Sequence, residues 1–362
     1  MMALLDTLHR WAGGLIGLVL ALLGLTGAIL VHKDAWVMLP HAGDARVTDV
    51  RTLAQATQRM MTGPQQPQSI IYASDSFGLD RLTFAKGAGA YADQSGAIVT
   101  AWQSQWARPE LWIFDFHHHL FAGDVGETVI GVAALCGLFF VVSGVILWWR
   151  TRSTFEFRLI PKRLSRPAIV RHHRDLGVVM APLLALSLVT GAVFVFRPVA
   201  SLILGPGTQA ELKAASQVPE YNPAALAANF DWGALIETAH ARFPEAELRI
   251  VAPPRGDSGL VTVRMRQPEE WLPNGRTMLW FAADTGALVG ARDAREASLR
   301  VTIYNRFYPL HAARVGGLPY RIVMTASGLA LAMLGSLAVW TFWFRRPRKS
   351  RVASARPVAA RS

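Results

Sequence analysis

The sequence predicts a membrane all-α four-helix bundle with two extracytoplasmic α+β modules, built as an internal two-fold repeat. Three observations predict it. The chain is 52% hydrophobic and 17% charged, below the roughly 25% charged share of ordinary soluble domains. Four segments, 11–31, 128–149, 176–196 and 322–344, contain no charged residue, and each reaches the ~20 apolar residues a spanning helix needs. The order span, polar segment, span occurs twice, with matching residues in both copies.

The first element, 1–33, is a span. Its apolar run exceeds the ~7–15 residues of a signal peptide core, and no small-residue cleavage site follows "LVHKDAW", so we expect a retained anchor. The first outer module, 34–116, carries a helix-like "TLAQATQRM" and then strand-like "SIIYA", "RLTFAKG" and "YADQSGAIVTAW". The alternating apolar pattern around Ser95-Gly96 reads as a hairpin. The second span is 117–150, followed by a basic loop, 151–172. The third span is 173–197. The second outer module, 198–310, repeats the pattern with "WGALIETAHARF", "LRIVAPP", "GLVTVRMRQ" and "MLWFAADTGALVGAR". The fourth span is 311–346 and a basic tail, 347–362, follows.

Charge sets the expected topology. Loop residues Arg150, Arg152, Arg158, Lys162, Arg163, Arg166, Arg171 and Arg174 face a single acid, Glu156, and the seven basic residues after Phe344 face none. Both segments belong inside by the positive-inside rule, so the N- and C-termini are expected in the cytoplasm and the modules outside. The net charge of +12 is then a topology signal, and no nucleic-acid partner is expected, because the basic residues flank spans. The single cysteine, Cys136, lies in the second span. That excludes disulfides in the modules and haem attached through a C-x-x-C-H motif.

The repeat aligns His9-Arg10 with His173-Arg174, Gly13 with Gly177, and Thr26-Gly27-Ala28 with Thr190-Gly191-Ala192. It also aligns Phe116-His117 with Leu310-His311. His9 and His173 therefore fall at one membrane face, and His311 and one of His117, His118 and His119 at the other. Two facing imidazoles are suited to hold one metal cofactor. Successive helical residues point about 100° apart, so one histidine of the triplet faces the axis. His117 matches best, with His118 and His119 as alternates, and His172 is the alternate to His173. Gly13 and Gly177, four residues after their histidines, share the histidine face and leave room for a flat macrocycle, although such glycine strips also mediate plain helix packing. Arg10 and Arg174 inside, and Arg197, Arg314 and Arg321 outside, are candidate partners for carboxylates of that cofactor; interfacial anchoring is the other role open to them. Zinc and copper sites are disfavoured, since soft ligands and carboxylate clusters are lacking.

The motifs "LHRWAGG…LTGAI", "FHHHLFAG", "HHRDLG…VTGAV" and "PLHAARVGGLPYR" resemble the PepSY-associated transmembrane family, over most of residues 4–346, with the outer modules similar to PepSY domains. Within it the chain looks most like the dihaem inner-membrane siderophore reductases. The resemblance implies two haem b groups, one held by His9 and His173 and one by His117 and His311. It also implies location in the bacterial inner membrane. The activity implied is electron transfer from a cytoplasmic or quinol donor to a periplasmic ferric siderophore, an oxidoreductase step that releases iron for uptake. Alternatives are a PepSY scaffold or transport component without redox chemistry, and a quinol-linked cytochrome with another acceptor. Outer aromatics such as Trp102, Trp106, Trp112, Tyr304 and Tyr308 would line the substrate surface or form the interfacial belt.

Overall fold

The computed structural model describes residues 2–256 and 258–344, so the basic tail expected at 347–362 lies outside the described residues. Helix α1 (Met2–Leu30) is followed by a single turn, α2 (Lys33–Trp36). Helix α3 (Val50–Met61) leads into strands β1 (Ser69–Ile71), β2 (Asp80–Thr83), β3 (Gly89–Ala92) and β4 (Ile98–Trp102), then α4 (Pro109–His119) and α5 (Gly123–Trp149). The second half runs through α6 (Arg166–Val195), α7 (Arg197–Leu204), α8 (Thr208–Ala214) and α9 (Trp232–Arg242). It continues with β5 (Glu247–Ala252), β6 (Leu260–Arg266), β7 (Thr277–Ala282), β8 (Leu288–Arg292), α10 (Leu299–His311) and α11 (Gly317–Trp343). Four helices, α1, α5, α6 and α11, are long and apolar enough to cross a membrane.

Their outward faces carry exposed apolar residues such as Leu15, Leu18, Leu22 and Leu25 on α1, as lipid contact requires. Inward, small residues bring backbones together. A Cβ added at Gly24 would lie 2.5 Å from the Gly328 carbonyl oxygen, and one at Gly335 would lie 2.3 Å from that of Gly17. Only glycine allows α1 and α11 to touch this closely. Between α5 and α6 the fit is knob into notch: Gly137 receives Leu188, and Gly131 receives Val195 and Phe196.

The strands form one antiparallel sheet in the order β4-β3-β2-β1-β5-β6-β7-β8. Two small sheets, one per module, were expected. Instead two four-stranded meanders join edge to edge, with Ile70 opposite Val251 and Ile71 opposite Ile250. The physical reason is that each meander would otherwise leave an open edge of unpaired backbone groups at β1 and β5. Helices α3 and α9 start at Asp49 and Asp231, whose side chains accept from the backbone N–H groups of Thr52 and Ala234, the usual aspartate N-cap. They bury Met60, Met61, Trp232 and Ile236 against Ile70, Val251, Val263 and Phe281 of the sheet. The opposite face of the sheet carries Tyr91 and Trp102, packed on Val37 and Leu111 beside α2 and α4.

The spans also begin differently from expectation. His117 and His311, taken as starts of the second and fourth spans, lie on the separate helices α4 and α10. Left-handed residues break the chain between helix and span: Leu120, Phe121 and Gly123 in one half, and Ala313, Gly316 and Gly317 in the other. Each histidine is thereby turned back toward the bundle. The third helix begins at Arg166, earlier than the expected 173, so part of the basic loop is helical.

Candidate functional site

At the sheet end of the bundle, the rings of His117 and His311 face each other with centroids 6.3 Å apart and planes 51° apart. At the loop end, His9 and His173 have the same 6.3 Å separation and planes 89° apart. The structure thus brings together the two pairs that the sequence selected.

Hydroxyl groups fix how three of these rings are held. Thr26 Oγ1 donates to the Leu22 carbonyl (2.8 Å) and lies 2.9 Å from His117 Nδ1. Thr190 Oγ1 donates to the Leu186 carbonyl (2.7 Å) and lies 2.8 Å from His311 Nδ1. Ser143 Oγ donates to the Phe139 carbonyl (2.6 Å) and lies 2.8 Å from His9 Nδ1. Each hydroxyl proton is already spent on its own helix, so the imidazole Nδ1–H is assigned as donor to the oxygen. A neutral ring with its proton on Nδ1 carries a lone pair on Nε2, which is the metal-binding tautomer. His173 differs: its Nδ1 is buried and makes no hydrogen bond among the described residues.

Glycines make room for three rings. A Cβ at Gly27 would sit 3.2 Å from His117 Cε1, one at Gly191 would sit 3.5 Å from His311 Cε1, and one at Gly144 would sit 3.7 Å from His9 Cε1. Gly13 and Gly177, the glycines expected to accommodate a macrocycle, instead face Ala338 and Leu334. Sequence reasoning missed Thr26, Thr190, Ser143, Gly27, Gly191 and Gly144 as histidine supports. The signal was present in the twice-written Thr-Gly-Ala triplet, which seats one histidine each time.

The alternates to these histidines have partners of their own, although His118 and His119 also line the cavity beside His117 and His311. His118 stacks on Phe114 with centroids 4.0 Å apart and donates from Nδ1 to the Phe114 carbonyl at 2.9 Å. His119 Nδ1 lies 3.1 Å from Asp115 Oδ1. His172 Nε2 lies 3.1 Å from Met333 Sδ. Three of the arginines expected to meet cofactor carboxylates are occupied by protein carboxylates, whereas the buried Nε of Arg321 has no hydrogen-bond partner among the described residues. Arg10 pairs with Asp6 at 3.3 Å. Arg174 pairs with Asp175 at 2.7 Å and also donates to Thr154. Arg314 pairs with Asp34.

The sheet-end pair opens into a cavity of about 240 Å³. Its walls include Leu20, Gly27, Leu188, Phe194 and Leu331, and Lys33, Glu127 and Arg314 also reach it. The sheet side of the mouth is ionic. Lys33 Nζ is 3.9 Å from Asp34 Oδ1. Asp34 is already engaged by Arg314 and by Ser76 Oγ at 2.7 Å. Arg108 Nε donates to Glu110 Oε1 at 2.7 Å, and Tyr91 Oη donates to the same oxygen at 3.2 Å. Glu110 Oε2 and Arg81 Nε are buried without hydrogen-bond partners. Burial pushes the Lys33 amine below its ordinary pKa, against the pull of Asp34. Among the described residues, no group of three or more His, Cys, Asp or Glu is arranged to hold a bare metal ion.

The model of the PepSY-associated TM region matches residues 7–346. The chain belongs to that family. The PepSY-associated TM region accordingly includes α5, α6, α11, all of α1 but its first residues, and the whole sheet, and the two histidine pairs lie within it. Among curated proteins, none matches the chain.

Proposed function

We propose that this is a b-type dihaem protein of the bacterial inner membrane that moves electrons across the bilayer to reduce a periplasmic ferric siderophore, so that iron is released for uptake. The observation that carries the reading is the doubled 6.3 Å separation of facing imidazoles. Two imidazoles on opposite faces of one iron, with metal–nitrogen distances of about 2 Å, leave ring centroids roughly 6 Å apart. The hydroxyl-held Nδ1 atoms, the glycines beside the rings and the apolar cavity support the same fit.

In this reading His117 and His311 hold one haem and His9 and His173 the other. Haem iron supplies reversible one-electron chemistry when bound. Thr26, Thr190 and Ser143 keep three of the imidazoles in the ligating tautomer, and the leucines and Phe194 exclude water. His9 and Thr26 are seventeen residues apart on α1, so the two pairs lie about 25 Å apart along the axis. That span compares with the ~30 Å hydrocarbon thickness of a bilayer. The two halves read as a repeat about an axis along the membrane normal, as in parallel transporter repeats. The basic loop of residues 151–165 supports a cytoplasmic loop end and a periplasmic sheet.

The test is the visible spectrum of the purified protein before and after dithionite. We expect b-type bands, with His173→Ala and His311→Ala each removing a different part. Absence of bands sinks the redox reading and favours a non-redox scaffold. Anaerobic mixing of the reduced protein with a ferric siderophore then reads out the acceptor: reoxidation is expected, and its absence points to another acceptor for a quinol-linked cytochrome.

A further inference from the structure

The mouth of the sheet-end cavity carries more positive charge than its carboxylates neutralise. On its sheet side Lys33 on α2 and Arg314 after α10 reach it, and Arg81 on β2 and Arg108 at the start of α4 stand behind them, Arg81 beside Lys33 and Arg108 on Glu110. Two carboxylates answer them, Asp34 and Glu110. Asp34 is engaged by Arg314 and Ser76, and Glu110 by Arg108 and Tyr91. Lys33 keeps only a 3.9 Å approach to Asp34, and Arg81 has a buried Nε without a partner. Arg314 and Arg81 are like-charged neighbours of Lys33. Glu127 reaches the cavity from α5, on the side of His118 and His119, and leaves the sheet side uncompensated.

Half-buried cations are costly unless paired, and Lys33 stands at the end of the apolar cavity with Arg81 as its neighbour. From this we infer that Lys33 and Arg81 seat two carboxylates, the propionates of a haem held between His117 and His311. The inference rests on the proposed dihaem reading and goes beyond it by replacing the arginines that sequence alone suggested. Arg314 acts as a positioning residue: it holds Asp34 and thereby leaves Lys33 available. A haem so placed has its apolar edge among the leucines and its charged edge under the sheet, which fixes its orientation.

The test uses full-length protein purified from haem-deficient cells and reconstituted with haem b or with its dimethyl ester, which lacks propionate charge. The wild type is expected to hold haem b at the sheet-end site about tenfold more tightly than the ester, since charge-assisted pairs are the strong ones. Lys33→Met and Arg81→Met are each expected to erase much of that preference. They should also lower the midpoint potential of the sheet-end haem, because a lost cation favours the ferric state, and leave the other haem unmoved. Lys33→Arg and Arg81→Lys should restore both, which separates charge from folding. Equal binding of ester and free acid in a haem-loaded wild type overturns the inference alone. So does a Lys33→Met protein that keeps its potential and loses only the reduction of anionic chelates, since the cations would then serve the substrate. A wild type that binds no haem overturns the dihaem reading and this inference with it.

Discussion

The histidine pair under the sheet and the pair at the loop end are equally spaced and unequally supported. Under the sheet both rings are gripped from behind by a threonine hydroxyl. At the loop end His9 is gripped by Ser143, while His173 has no hydrogen bond at Nδ1. The spans explain the difference. Thr26 and Thr190 each open a Thr-Gly-Ala triplet, one on α1 and one on α6, so the same short motif supplies both grips. Ser143 belongs to α5, and the residue as far into α11 is Leu337, which offers no hydroxyl. Equal spacing therefore comes from the helix frame, and support comes from single residues that duplicated halves are free to lose. The lesson is that separation alone does not make two sites alike: both sheet-end rings and His9 have a hydroxyl at Nδ1, and His173 does not.

The largest effect expected is loss of a whole site. On the proposed dihaem reading, His311→Ala should remove roughly half of the b-type absorbance and His173→Ala the other half, because each haem would need both of its histidines; identical residual spectra from the two variants would break the comparison. Next comes loss of the grips. Thr26→Val and Thr190→Val should each weaken cofactor retention under the sheet about 10–100-fold, as loss of a ligand's hydrogen-bond partner does. Ser143→Ala should act on the loop-end site alone. Retention is measured by haem transfer to a scavenging apoprotein, and a Thr190→Val protein that behaves like wild type would remove the role given to the hydroxyls.

Glycine substitutions give a smaller and graded effect. Gly27→Ala puts a methyl 3.2 Å from His117, tighter than the 3.5 Å that Gly191→Ala imposes on His311. Overpacking of this kind costs about 1–3 kcal/mol. Gly27→Ala should therefore perturb the sheet-end bands more, and the reverse order would show that ring position is not set by these glycines.

The smallest effect leaves both pairs untouched and tests whether the contrast is confined to the bundle. Asp80 is 2% exposed and accepts from the Ala73 N–H at 2.7 Å. Burial raises its pKa to about 7, above its unfolded value of about 3.9. The fold thus favours the protonated form. Stability from this group is full below about pH 4 and is lost as pH rises through 7. Asp80→Asn stays neutral, so its melting temperature should match wild type at about pH 4 and exceed it increasingly up to about pH 7. The difference should be on the order of 1–3 kcal/mol, with both haem signals unchanged. A pH-independent difference would rule out titration of Asp80 as the cause.

Much of this arrangement was legible in the sequence. Charge-free runs of spanning length located the four helices, and period-two patterns located the strands, because lipid burial and sheet burial write themselves into composition. The repeat singled out His117 from its neighbours. What stayed hidden depended on contacts between distant segments. The seam joining β1 to β5 is specified by an open edge that no local pattern marks. The break at Leu120 and Phe121 puts non-glycine residues in left-handed conformations, against their preference, and only tertiary packing selects that. Arg314 looked available because its partner, Asp34, lies in the other half of the chain. Lys33 was passed over because a lysine after an apolar run reads as an anchor.

The glycine contact between α1 and α11 has a consequence for synthesis. These two helices, the first and last of the described spans, are each other's closest neighbours, so the bundle is a ring fastened at a joint that forms last. A chain emerging residue by residue has His9 early but lacks His173 until its third helix is made. His117 then waits for the whole second half of the sheet before His311 arrives. Neither pair exists on a nascent chain shorter than 173 residues, and the sheet-end pair is the later to close. Whatever those histidines grasp is received by a finished molecule, after translation rather than during it.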